Sequence, residues 1–176
     1  MSVIDLLRKE TSYYHNLLDT HPKLSKVTSD EVKKEDYFQY LELFFGIHTL
    51  LEKQIENNID ANFPFEGRLD LLKDDIERSG IDVPLIKDVP FTLDENNVLG
   101  AYYVVEGSKL GGKFIANHLK SKLVSDQYRF SFLTHKPSYS WKNVLEKLNT
   151  IDPSEHIVFS ISRRCCENIP IYIILR

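Results

Sequence analysis

Residues 96–120 read NNVLGAYYVVEGSKLGGKFIANHLK, and the reading of this stretch decides the fold. Its apolar positions recur at helical spacing, which predicts a helix over roughly 95–122. The run Ala101–Val105 taken alone would also suit a strand. Four of the chain's seven glycines fall here, at Gly100, Gly107, Gly111 and Gly112. A glycine inside a helix costs about 1 kcal/mol relative to alanine, so Gly107, Gly111 and Gly112 together cost about 3 kcal/mol. Set against a net stability of about 5–15 kcal/mol, that cost calls for an explanation.

Three readings compete. Gly107 to Lys113 has the spacing of a phosphate loop, but Phe114 stands where a magnesium-binding hydroxyl is required. Alternatively, Gly107 and Gly111, one turn apart, let another element approach closely. In the third, a bent helix brings bare backbone against a flat ligand, with Ser108 beside the bend.

The rest of the chain is also helical in pattern. Ile4, Leu7, Thr11, Tyr14 and Leu18 share one face of a first helix, with Ser2 placed to cap it and Pro22 just past its end. Thr28 to Glu31 has capping-box spacing and opens a second helix of about 25 residues. Its stripe is Tyr37, Leu41, Phe44, His48, Leu51 and Ile55. A third helix is expected over roughly 67–78, a proline-rich packed loop over 80–94 and another loop over 123–137. Helices around 139–149 and 154–168 follow, the last started by Pro153. These elements make one all-α domain spanning residues 1–176.

Composition narrows the function. Twenty-two basic and 26 acidic side chains give a net charge of −4, without the basic footprint that nucleic-acid binding requires. The adjacent Cys165 and Cys166 cannot staple distant segments, which suits a reducing cytoplasm. Charges break the N-terminal apolar run, and no window approaches about 18 uninterrupted apolar residues, so neither a signal sequence nor a membrane span is expected. Cytoplasmic location follows as the expectation. There is no G-x-S-x-G, no H-E-x-x-H and no helical E-x-x-H.

Six histidines remain as candidates. His15 lies near the apolar face of the first helix, with Arg8 two turns earlier, roughly 10 Å away, and Thr11 between them. An imidazole can bind iron and a guanidinium can grip a carboxylate, a pairing that suits a planar metal ligand with carboxylate arms. Such a histidine is also common as a plain core or surface residue. His48 and His118 lie on similar stripes. His21, His135 and His156 read as solvated.

Together, L-R-x-E-T-x-x-x-H-x-x-L-D (Leu7 to Asp19), L-G-A-x-Y-V-x-E-G-S-x-L-G-G (Leu99 to Gly112) and the aromatic YFQYLELFFGIHTLLE (Tyr37 to Glu52) resemble the bacterial biliverdin-producing heme oxygenases. The resemblance covers most of residues 3–120. It implies an all-α heme-oxygenase-like bundle with heme between a proximal and a kinked distal helix. His15 then matches the iron ligand, and Arg8 and Tyr102 match groups at the propionates, with Thr11 beside them. Gly107, Gly111 and Gly112 match the distal glycines, and Ser108 stands where animal members carry an aspartate that anchors the water network and bacterial relatives often carry serine. Gly107, Ser108 and Gly111 would bound the reaction site.

By the same resemblance heme is both substrate and cofactor, O2 binds on the glycine side, and the products are biliverdin, carbon monoxide and ferrous iron. The implied partners are an electron-donating reductase or ferredoxin and a bilin acceptor protein, with no nucleic acid and no membrane. A heme carrier of the same fold is the rival reading. The C-terminal stretch 168–176 is atypical for such a chain. Pro170 should stop the helix, and the apolar tail IPIYIILR must pack back, meet a partner or aggregate. Arg163 or Arg164 is a further propionate candidate.

Overall fold

The computed structural model describes residues 2–86, 92–94, 98–124 and 126–152. The side chains of Tyr14 and Leu18 lie outside what is described, as do Pro153, the helix expected over 154–168, His156, Arg163, Arg164, both cysteines and the C-terminal tail.

Among the described residues the chain forms six α-helices, one short 3-10 turn and no strand. Helix α1 is Val3–Asp19, α2 Lys34–Asn58, α3 Leu69–Arg78, α4 Val98–Lys122, α5 Ser131–Thr134 and α6 Trp141–Leu148. The all-α reading is therefore correct.

Local chemistry sets the boundaries. The Asp5 N–H donates to Ser2 Oγ and the Ser2 N–H to Asp5 Oδ2, both at 3.1 Å, so Ser2 caps α1 as expected. The box expected at Thr28 does not form. Residues Ser25–Thr28 make a 3-10 turn in which the Thr28 hydroxyl donates back to the Ser25 carbonyl at 3.1 Å. Val27 and Val32 are buried, and α2 begins only at Lys34. There the Lys33 N–H donates to Asp36 Oδ2 at 2.9 Å. Helix α3 ends before Gly80, whose φ of +73° lies in the left-handed region.

Helix α4 runs unbroken through all four glycines. That removes the strand at Ala101–Val105, and with it the phosphate-loop reading, which needs one. The expected loop 123–137 contains α5. Its first two amides, of Ser131 and Phe132, donate to the buried Asp75 carboxylate of α3 at 2.9 Å each. Burial raises the Asp75 pKa even so.

Among the described residues the core has two apolar clusters. One joins the first half of α1 (Val3, Ile4, Leu6, Leu7) to Leu51 and Ile55 of α2, the start of α4 and Val144 and Leu148 of α6. The other joins Tyr37, Tyr40, Leu41 and Phe45 of α2 to α3, α5 and the end of α4. Helices α2 and α4 thread both. In the second half of α1, Thr11, His15 and Asp19 face the middle of α4 across a cavity.

Candidate functional site

The cavity measures about 440 Å³, within the usual range for small-molecule sites. Helix α1 supplies Thr11, His15 and Asp19, the 3-10 turn supplies Ser25, Val27 and Thr28, and α2 supplies Tyr40 and Phe44. Helix α4 supplies Tyr103, Val104, Gly107, Ser108, Leu110, Gly111 and Ile115, and α6 supplies Trp141. The sequence candidates His15, Thr11, Gly107, Ser108 and Gly111 are thus gathered at one site.

His15 is 75% exposed at its side chain, and its Nδ1 lies 2.9 Å from Asp19 Oδ2 one turn along. With Nδ1 held there, Nε2 is the nitrogen left for a ligand. Thr11 spends its hydroxyl proton on the Leu7 carbonyl at 2.7 Å. Arg8 is exposed on α1 and does not line the cavity.

The glycines divide by role. A methyl group built on Gly111 meets nothing within 4 Å, and one on Gly107 meets only Trp141 Cη2 at 3.8 Å. Both present bare backbone to the cavity. A methyl group on Gly112 would instead collide with the Leu133 backbone carbonyl. Gly112 is therefore a packing glycine between α4 and α5, which corrects its assignment to the ligand.

Tyr102 also needs correction. It is fully buried, packs edge-on against Phe63 at 5.5 Å, and donates its hydroxyl to the Pro64 carbonyl at 2.8 Å. One residue is about 100° around a helix, so its neighbour Tyr103 faces the cavity instead and packs on Trp141 at 5.6 Å.

Behind Ser108 lies a buried polar group that the sequence analysis missed. Arg68, just before α3, is 2% exposed. Its Nη2 donates to Ser108 Oγ at 2.7 Å, its guanidinium lies 4.3 Å over the Phe132 ring, and its Nε is sealed with no partner. Ser108 passes its own proton to the Val105 carbonyl at 2.7 Å. Glu52 accepts from the amides of Arg68 at 2.7 Å and Leu69 at 3.0 Å, and from His48 Nδ1 at 2.5 Å. Burial lowers the His48 pKa against the pull of Glu52, and burial also lowers that of Arg68. For Glu52 the burial cost is outweighed by His48 and the two amides, which hold its carboxylate below the usual range.

Among the described residues the other histidines lie outside the cavity. His48 is a core residue. His118 Nε2 bonds the Ser29 carbonyl at 2.8 Å, and His21 Nδ1 accepts from the Lys23 amide at 3.3 Å. His135, expected to be solvated, is half-buried with Nε2 3.3 Å from Glu66 Oε2.

No helix among the described residues is long and apolar enough to cross a membrane. No curated protein matches the sequence. The family model described as heme oxygenase matches residues 1–77. Among solved structures, the NO- and CO-bound heme oxygenase from Neisseria meningitidis superposes with a TM-score of 0.82 at 21% identity, over 100% of this chain and 91% of that one. Residues 1–77 thus match the heme oxygenase family model, and the chain as a whole has the heme oxygenase fold.

Proposed function

We propose that the chain is a heme oxygenase that binds heme in the α1–α4 cavity and opens it to biliverdin, carbon monoxide and ferrous iron. The observation that carries this is the facing pair: His15 with a free Nε2 on one side of an apolar cavity, and the bare backbone of Gly107 and Gly111 on the other. The residues present fit the group. A neutral imidazole suits iron, and two side-chain-free positions leave room for a flat macrocycle and a small molecule above it.

Heme, when bound, supplies the iron that activates O2. The protein's own groups do the rest. Asp19 fixes the tautomer and angle of His15. Gly107 and Gly111 would present bare backbone to the bound ring and leave space open beside it. Ser108, whose oxygen accepts from the buried Arg68 cation, favours negative charge on that side of the cavity. Phe44, Ile115 and Trp141 keep the lining apolar and exclude bulk water. Arg8, exposed two turns before His15, would meet a carboxylate of the bound heme. An external reductase or ferredoxin supplies electrons, and a bilin acceptor takes the product.

Aerobic turnover with hemin and a chemical reductant tests this. The heme Soret band should decay as biliverdin absorption grows. A stable oxygenated complex that never loses its Soret band would make the chain a carrier.

A further inference from the structure

Tyr40 of α2 is a cavity residue whose chemistry neither the packing nor the proposed mechanism uses. It is 5% exposed, and its ring stacks on Phe44 at 4.3 Å and 25°. Phe44 shares the cavity lining. Its hydroxyl makes no hydrogen bond among the described residues. Nor is it one of the sealed, unpartnered atoms, unlike the Tyr37 hydroxyl and Arg68 Nε. Tyr40 lines the cavity and keeps little surface. A buried phenol usually finds an acceptor, and leaving one unpartnered has a cost.

The surroundings say what kind of acceptor is missing. Tyr40 and Ser108 both line the cavity, and the buried Arg68 stands behind Ser108 with its Nη2 on Ser108 Oγ. Helices α2 and α4 thus bring a phenol and a hydroxyl to the cavity, with a guanidinium behind the hydroxyl. The phenol is a free donor and the guanidinium is a cation. The Ser108 hydroxyl is already committed to Arg68 and Val105. Such a lining suits a small anion or an oxygen lone pair beside Ser108 of α4. Burial holds the Tyr40 phenol above its usual range, so it keeps its proton throughout the physiological range.

We infer that Tyr40 is a ligand-gripping residue of this site, donating its hydroxyl proton to a small anion or water held on the Ser108 side of bound heme. This rests on the proposed function, and the test separates the two. Tyr40→Phe removes one oxygen and leaves the stacked ring. Fluoride, which binds ferric heme and accepts hydrogen bonds, is the probe.

In the ferric hemin complex, Tyr40→Phe should weaken fluoride binding about fivefold, the worth of one ordinary hydrogen bond, while hemin affinity changes less than about twofold. The empty variant should melt with the wild type, because the lost oxygen bonds nothing there. Equal fluoride affinity in the two hemin complexes overturns the inference and leaves the proposed function standing. A lower melting point of the empty variant also overturns it, by showing that the hydroxyl serves the fold. A wild-type protein that shifts no hemin spectrum overturns the proposed function and this inference together.

Discussion

His15 Nδ1 lies 2.9 Å from Asp19 Oδ2, one turn further along α1, and both side chains border the cavity. The carboxylate turns an otherwise free imidazole into an oriented one with Nε2 available. Asp19→Ala should therefore weaken hemin binding by about tenfold or more, the usual effect of removing a partner behind a metal-binding histidine. Hemin titration followed at the Soret band checks this. An unchanged affinity would mean that the exposed pair has no part in binding.

Gly111 and Gly112 are neighbours with opposite predictions. Gly111→Ala meets no atom within 4 Å and gains helix propensity of about 1 kcal/mol. The empty protein should then melt roughly 2–4 °C higher, while a larger Gly111→Leu should block heme oxidation. Gly112→Ala forces a methyl group against the Leu133 carbonyl. It should cost about 1–3 kcal/mol of stability, seen as a lower melting point, with heme chemistry affected only through that loss.

Ser108 and Arg68 should couple. Ser108→Ala leaves Arg68 Nη2 buried without its acceptor, at a cost of about 1–3 kcal/mol. Removing the guanidinium as well, with Arg68→Met, removes the group that was left unpaired. Urea unfolding of both single variants and the double variant should give a double-mutant loss well below the sum of the singles. Strict additivity would contradict the bond.

Acid should destabilise the fold partly through His48. The folded protein holds this imidazole neutral by burial, whereas the unfolded chain protonates it below its ordinary pKa of 6.5. Stability is therefore present above about pH 6.5 and falls as pH drops below it. Glu52, held below the usual carboxylate range, adds a loss of the same sign at lower pH. Asp75 and Glu106, raised by burial, act in the opposite direction. Comparing wild type with His48→Gln isolates the histidine: melting points between pH 8 and 5 should fall less steeply in the variant.

The fold was legible because helical periodicity survives in every long element, and the cavity because its parts lie on two such helices. His15 and the pair Gly107 and Gly111 could be read from spacing. What escaped depended on facing rather than pattern. Tyr102 and Tyr103 are adjacent aromatics, and only the rotation of α4 sends one to the core and the other to the cavity. Gly112 looks like its neighbours until α5 is packed against it. Arg68 sits at a helix start, where arginine is ordinarily solvated, and its burial comes from Phe132 and Ser108, 64 and 40 residues away. Trp141, the chain's single tryptophan, carried no signal beyond its helix.

The central claim is that heme iron sits on His15, opposite Gly107 and Gly111. The spectrum of the ferric hemin complex, compared between wild type and His15→Ala, tests it most directly. The wild type should show a histidine-ligated spectrum that is lost in His15→Ala and restored when free imidazole is added to the variant. An unchanged histidine-ligated spectrum in His15→Ala would contradict it.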